Sequence, residues 1–524
     1  MKFRFARLIF VIAVISIIIY AIYIVYKNNN KDQNKGAQQD EVSVQYAKDV
    51  KLGIANFDTM NPLTTNNKEV ININKLIFEP LFTLNEQYKI TPCLATEFAK
   101  TSETTYIIKI DTNIKWSNGQ NITAADVVYT VDNLKKTNSI YTANVQNISV
   151  IEAIDDSTVK IQLNQQETFF EYNLIFPIVC KSYYEAEDYF TSAKVPIGTG
   201  MLKIESINAN SIILRKNENW RNPENQNPIC ESVYIYLFNS MGEVYNSFKI
   251  GNIDFVNTSS TSYANYIGTI GYYTKEYKGR DVDFLSMNCN DVALSDKFVR
   301  KTISYAIDKN NIVSNIFNNN YYVSEYPIDF GTFVYKTDST SSGYNPEQAK
   351  ATLQEAGWVN TNNKWVKDGK TLYLTLIVNS TNSQRCTVAD SIKQQLEEIG
   401  IGVNIKKVSD SQYASYLQNK NFQLILTGVS NGFAPDVKYF YGSGNISNYN
   451  NEEINTILSE ITNITDEKLL LEKFKRILEV TKDEMPYISL YRNKNTVLVK
   501  QNAGGQITPN NYNLYYNFWS WHRE

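Results

Sequence analysis

Between Leu8 and Tyr26 the chain reads LIFVIAVISIIIYAIYIVY, nineteen residues without a charge. As a helix the run is about 28 Å long, enough to cross a bilayer. No other stretch constrains the remainder so strongly, because it decides on which side of a membrane the chain folds. The preceding MKFRFAR carries three positive charges, and such a flank stays in the cytoplasm. Everything after Lys27 is then expected outside. A cleaved signal peptide has a shorter apolar region and a small-residue cleavage site. This run is long and ends in Ile, Val and Tyr, and no Cys follows to take a lipid. The expectation is an uncleaved single-pass anchor over residues 1–27. The next segment, beginning NNNKDQNKGAQQDE, has nothing to bury and reads as a flexible linker over 28–44.

A chain of 524 residues exceeds what one core organises, so roughly two or three domains are expected. The formal net charge is −3 and no Lys/Arg run stands out, so the sequence gives no reason to expect nucleic acid as a partner. The single histidine, His522, lies three residues from the C-terminus, which excludes a His-rich metal site and disfavours a Ser/His or Cys/His nucleophile. G-x-S-x-G, H-E-x-x-H, a Walker loop and a dinucleotide fingerprint are all absent. A paired-carboxylate hydrolase stays open, although nothing singles out two of the 54 acidic residues. No catalytic residue, metal or cofactor is expected. The five cysteines are widely spaced; they read as small buried apolar groups, with room for one bridge.

Past the linker, strands and amphipathic helices alternate. TYIIKI (Thr105 to Ile110) and STVKIQL (Ser157 to Leu163) read as strands. Between them, IKWSNGQNITAADVV places a strand ending at Trp116, a tight Asn118-Gly119 turn, and a helix opened by Thr123 with Asp126 three residues on. Farther along, LYLTLIVN (Leu372 to Asn379) has the near-continuous apolar character of a covered strand. Val388, Ile392, Leu396 and Ile399 then line one helix face, and Gly400 ends it. With IGVNIKKV (Ile401 to Val408) and FQLILTG (Phe422 to Gly428) this predicts a β-α-β unit in a parallel sheet. YNPEQAKATLQEAGW (Tyr344 to Trp358) predicts a helix with Asn345 as N-cap, Pro346 in the first turn and Gly357 at the stop.

Five stretches, in order, resemble one family, the extracytoplasmic solute-binding proteins (family 5) of peptide and nickel ABC transporters. They are MNPLTT with LIFEPLFTLN (Met60 to Asn85), IKWSNGQNITAADVVYTV, IGTGMLKI (Ile197 to Ile204), DKFVRKTISYAIDKNNIV (Asp296 to Val313) and YNPEQAKATLQEAGW. Asn118 stands where the family has Asp, and Met201-Leu202 where it has Pro-Tyr.

The resemblance implies an α/β, class II periplasmic-binding-protein-like fold of two lobes with an extra inserted domain. Lobe I takes 45–75, 191–280 and 495–524, the insertion 76–190, and lobe II 281–494. It implies a monomer that captures oligopeptide-like solutes between its lobes and passes them to membrane permease subunits. Extended peptides suit such a cleft because backbone groups pair while side chains fall into roomy, wet pockets. Peptide binders of the family anchor the ligand ammonium on an Asp. In GVSNGFAPDVKYFY (Gly428 to Tyr441) that position falls on Asn431 or Gly432, depending on the register. Asp436 is the nearby acid that could substitute. Candidate ligand-binding residues are Met60, Asn61, Tyr141, Ser430, Asn431, Gly432, Phe433, Asp436 and Tyr491. The competing readings are a peptide-sensing receptor without transport and an exported hydrolase.

Overall fold

Two strands far longer than the rest, Tyr272–Met287 and Tyr487–Lys500, pair antiparallel through the middle of the molecule. The structure, a computed structural model, describes residues 48–223, 225–268, 271–328, 343–464 and 466–523. The anchor expected over 1–27 and the linker expected over 28–44 both lie outside the described residues. Among the described residues no helix is long and apolar enough to cross a membrane.

The long strands run from one apolar core to another. In the first core, Val497 and Val499 pack with Val50, Leu52, Ile73 and Trp521. In the second, Ile488, Leu490 and Tyr491 of the same strand pack with Leu374, Leu376, Val388 and Ile392. Between these ends, residues 493–495 are half-buried and polar. There the register breaks: Lys278 pairs with Lys494 and Val282 with Arg492, so Gly279, Arg280 and Asp281 bulge opposite Asn493. A Cβ on Gly279 would lie 1.7 Å from Asn493 Oδ1, so only glycine admits that side chain. Bulges re-aim the residues they carry, and this one aims Arg280 and Asp281.

Around the second core the predicted β-α-β unit is present. Tyr373–Asn379 pairs parallel with both Gly402–Val408 and Leu424–Ser430. The helix Ser383–Glu398 buries Val388, Ile392 and Leu396, and Gly400 follows at φ +91°. Pro346–Glu355 is also helical, with the Asn345 side chain accepting from Gln348 N at 3.0 Å. The first core is covered by a four-stranded sheet in which Asp49–Ala55 runs parallel to Ser232–Phe238.

A third core lies within residues 63–189, on a four-stranded antiparallel sheet that includes Thr105–Ile110 and Thr158–Leu163. The Trp116 corner belongs here, with one correction. No strand ends at Trp116; the chain makes only an isolated bridge between Lys115 and Asn121. The turn itself forms, with Gly119 at φ +90° and its N–H on the Trp116 carbonyl at 2.8 Å. Asp126, 3% exposed, accepts from Thr123 N at 2.8 Å and Lys181 N at 2.7 Å, fastening the helix Ala124–Leu134 to a distant segment. Trp116 is 1% exposed. The indole precedes the turn because it plugs this core, a packing role whose removal typically costs about 3–5 kcal/mol.

Candidate functional site

The helix Lys68–Ile77 has two faces. Val70, Ile73, Leu76 and Ile77 are buried, whereas Lys68, Ile71, Asn72 and Lys75, spaced three and four apart, form a stripe on the other side. That stripe walls a cavity of about 1020 Å³. The opposite wall comes from the crossing, through Tyr277, Arg280, Asp281, Asn493 and Asn495, with Ser430 beyond it. Six asparagines line the space. Amides that both donate and accept suit a polar ligand whose groups are not fixed in advance.

Two smaller cavities adjoin it. One, of about 450 Å³, shares Ile71 and Lys75 and extends toward Tyr141 and Tyr512. The other, of about 310 Å³, shares Ser259, Asp281 and Asn493 and extends toward Asp283, Arg385 and Tyr491. The three therefore form a chain, with the crossing strands alongside.

The charges in this chain of cavities differ in their commitments. Arg385 grips Asp283 through two bonds of 2.7 and 2.9 Å, and Tyr491 donates its hydroxyl to the same carboxylate at 2.8 Å. Burial beside Asp283 pushes the Tyr491 phenol far above its ordinary range. Gly428 lets the ion pair lie against the backbone, since a Cβ there would sit 2.1 Å from Asp283 Oδ1. Glu69 accepts from Asn257 Nδ2 at 3.0 Å, and Asn257 Oδ1 accepts from Tyr277 at 3.0 Å. Burial raises the Glu69 carboxyl above its usual range. Asp281, by contrast, is exposed to two of the cavities; its carboxylate accepts only from Asn493 Nδ2, at 3.2 Å, and pairs with no cation among the described residues.

The nine residues singled out from the sequence disperse. Ser430 lines the main cavity, Tyr491 the smaller one at the crossing and Tyr141 the one beside Lys75. Asn431 lies behind the wall: its amide donates to the Arg280 and Pro327 carbonyls, at 3.3 and 3.2 Å. Phe433 packs on Arg280, with the guanidinium 4.4 Å from its ring centre, and exposed Gly432 lies between the two. Met60 is 2% exposed within the first core and lines none of the three cavities. Asn61 is likewise spent internally, accepting from Tyr189 and from Leu63 N at 2.8 and 3.0 Å. Asp436 caps its own turn, accepting from Lys438 N at 2.8 Å, and lines none of the three cavities. Sequence reasoning missed the bulge and the Lys68–Lys75 stripe. Only the stripe left a legible signal, polar residues at helical spacing beside an apolar face.

The model of the bacterial extracellular solute-binding proteins, family 5, matches residues 89–451. The chain belongs to that family, the substrate-binding components of ABC transporters. The oligopeptide-binding protein AppA of Bacillus subtilis is 23% identical over 93% of this chain and 94% of its own length. The nickel-binding periplasmic protein of Escherichia coli is 21% identical over 67% of this chain and 69% of its own. Among solved structures, the unliganded open form of the periplasmic murein tripeptide-binding protein MppA superposes with a TM-score of 0.78, at 19% identity, covering 91% of this chain and 98% of that one. Members of the family are binding proteins, and the shared architecture is the α/β fold of these structures.

Proposed function

We propose that the chain captures peptide-like solutes outside the membrane and hands them to a permease, held in place by the Leu8–Tyr26 run as a single-pass anchor. The observation that carries this reading is the chain of three cavities at the strand crossing, elongated and lined by amides and by both signs of charge. An extended backbone repeats N–H and C=O groups, and such a wall meets them without demanding particular side chains. The lobes are proposed as 45–75, 191–280 and 495–524 against 281–494, with 76–190 inserted. Closure of one upon the other is driven only by a ligand that binds the closed form better. The capture role requires no catalytic group.

In place of the acid missing at Asn431 or Gly432, Asp281 is proposed to receive the ligand ammonium. It faces two cavities and carries no competing cation, whereas Asp283 is already held by Arg385. Native mass spectrometry of the ectodomain, purified without denaturation from its own cells, tests the reading. Short peptides should be released intact; release of a chelated metal, or conversion of the bound solute, would sink it.

A further inference from the structure

Lys75 and Asn74 are neighbours on one helix, the first held without a carboxylate partner among the described residues and the second with its side-chain amide unpaired. Asn74 is 4% exposed, and its amide nitrogen and oxygen have no hydrogen-bond partner, although it lines the cavity of about 450 Å³. Buried amides are rarely left this way, because an unmet group keeps the full cost of its desolvation. Lys75 lines the same cavity and the main one. Its ammonium donates to the Tyr512 carbonyl and lies 4.1 Å from the centre of the Tyr512 ring. No carboxylate pairs with it among the described residues. The other cation of this cavity, Arg221, is already bonded to Glu79 at 3.2 Å and to the Cys93 carbonyl at 2.7 Å. Desolvation lowers the Lys75 amine to about 7, the mark of a charge held without a counterion.

We infer that this second cavity is a subsite for an anionic end of the ligand, a carboxylate received by the Lys75 ammonium and the Asn74 amide. The inference rests on the peptide reading above and narrows it to elongated solutes with a free carboxylate remote from their ammonium. An incoming carboxylate supplies the missing counterion and also an acceptor for the Asn74 N–H. Charge-assisted bonds of this kind are worth more than neutral ones, so loss of the charge on either side weakens binding by roughly tenfold or more.

The test uses the full chain in detergent and a random pentapeptide pool prepared as free acids and as C-terminal amides, with retained peptide counted by mass spectrometry. The unaltered protein should retain free acids at least about tenfold over amides, Lys75→Met should bring the ratio to about one, and Lys75→Arg should restore it. Asn74→Leu should lower the ratio with less effect. Equal retention of both pools, or a preference that survives Lys75→Met, overturns the subsite. If neither pool binds, the peptide reading falls by itself, and the subsite is judged with acetate and inorganic phosphate as probes. Protection of Lys75 from reductive methylation by either anion then supports it, and equal modification with and without them overturns it.

Discussion

Arg280 and the Asn431–Phe433 corner are joined twice: the guanidinium carbon lies 4.4 Å from the Phe433 ring centre, and Arg280 Nε donates to the Asn431 carbonyl at 2.8 Å. Phe433 also meets Tyr88 at 5.7 Å and Tyr512 at 5.4 Å. One ring therefore touches the crossing strand, the 63–189 unit and the C-terminal segment that carries Lys75's carbonyl partner. Contacts of this kind are worth about 0.5–1 kcal/mol each.

Phe433→Ala removes all three contacts, about 2 kcal/mol of attachment, without touching a main-chain pairing. The expected outcome is a larger radius of gyration in small-angle scattering of the ligand-free protein and roughly tenfold faster ligand release. An unchanged scattering curve would show that the corner does not restrain the two sides.

Asp281→Asn tests the proposed ammonium anchor. Free peptides should bind about tenfold more weakly to the variant, whereas N-acetylated peptides, having no ammonium to anchor, should bind both proteins alike. Calorimetric titration of the four combinations gives the coupling directly, and equal losses for both ligand types would refute the anchor.

How much of this was visible in the sequence follows from how local each signal is. The Leu372–Val408 unit was legible because a covered strand, an amphipathic helix and a second strand each carry their own period. The helix at Pro346 announced itself through its cap and its stop. Trp116 misled slightly, since its burial comes from plugging a core and not from ending a strand. The binding wall was largely illegible. Arg280 and Asp281 face the cavity only because Gly279 lets the chain bulge opposite Asn493, a pairing across more than 200 positions that no local pattern encodes. One of two registers of the sequence puts Asn431 at the family's anchor position, and the structure spends its amide on two backbone carbonyls.

Gly428 and Gly432 form a matched pair for testing the Arg385–Asp283 contact. A methyl group at Gly428 collides with both partners, at 2.1 and 2.3 Å, whereas one at Gly432 meets nothing within 4 Å. Gly428→Ala should therefore destabilise the protein by about 2–3 kcal/mol and lower the melting temperature by roughly 2–3 °C. Gly432→Ala should stay within about 0.5 kcal/mol of the unaltered chain. Denaturant titration of both variants decides the matter; equal stabilities would mean that the ion pair tolerates displacement.

Lys75 gives a dependence on pH whose sign is fixed by burial. Desolvation lowers its amine from 10.5 to about 7 in the folded chain. Between those values the unfolded chain holds a proton that the folded chain has released, so stability rises with pH across the window. Below 7 both states are protonated and the penalty is constant. Other groups line the same cavities, among them Lys68, Glu69, Glu79, Cys93, Arg221, Tyr141, Tyr512 and Tyr515. The contribution of Lys75 is therefore read as the difference between the unaltered protein and Lys75→Met. That difference should increase steadily from pH 7 toward pH 10 in denaturant titrations. A flat difference would place the ammonium in water. Ligand binding adds a second readout: at pH 8 a carboxylate arriving at Lys75 should draw a proton onto it, so calorimetric heats should differ between Tris and phosphate buffers, and Lys75→Met should abolish that difference.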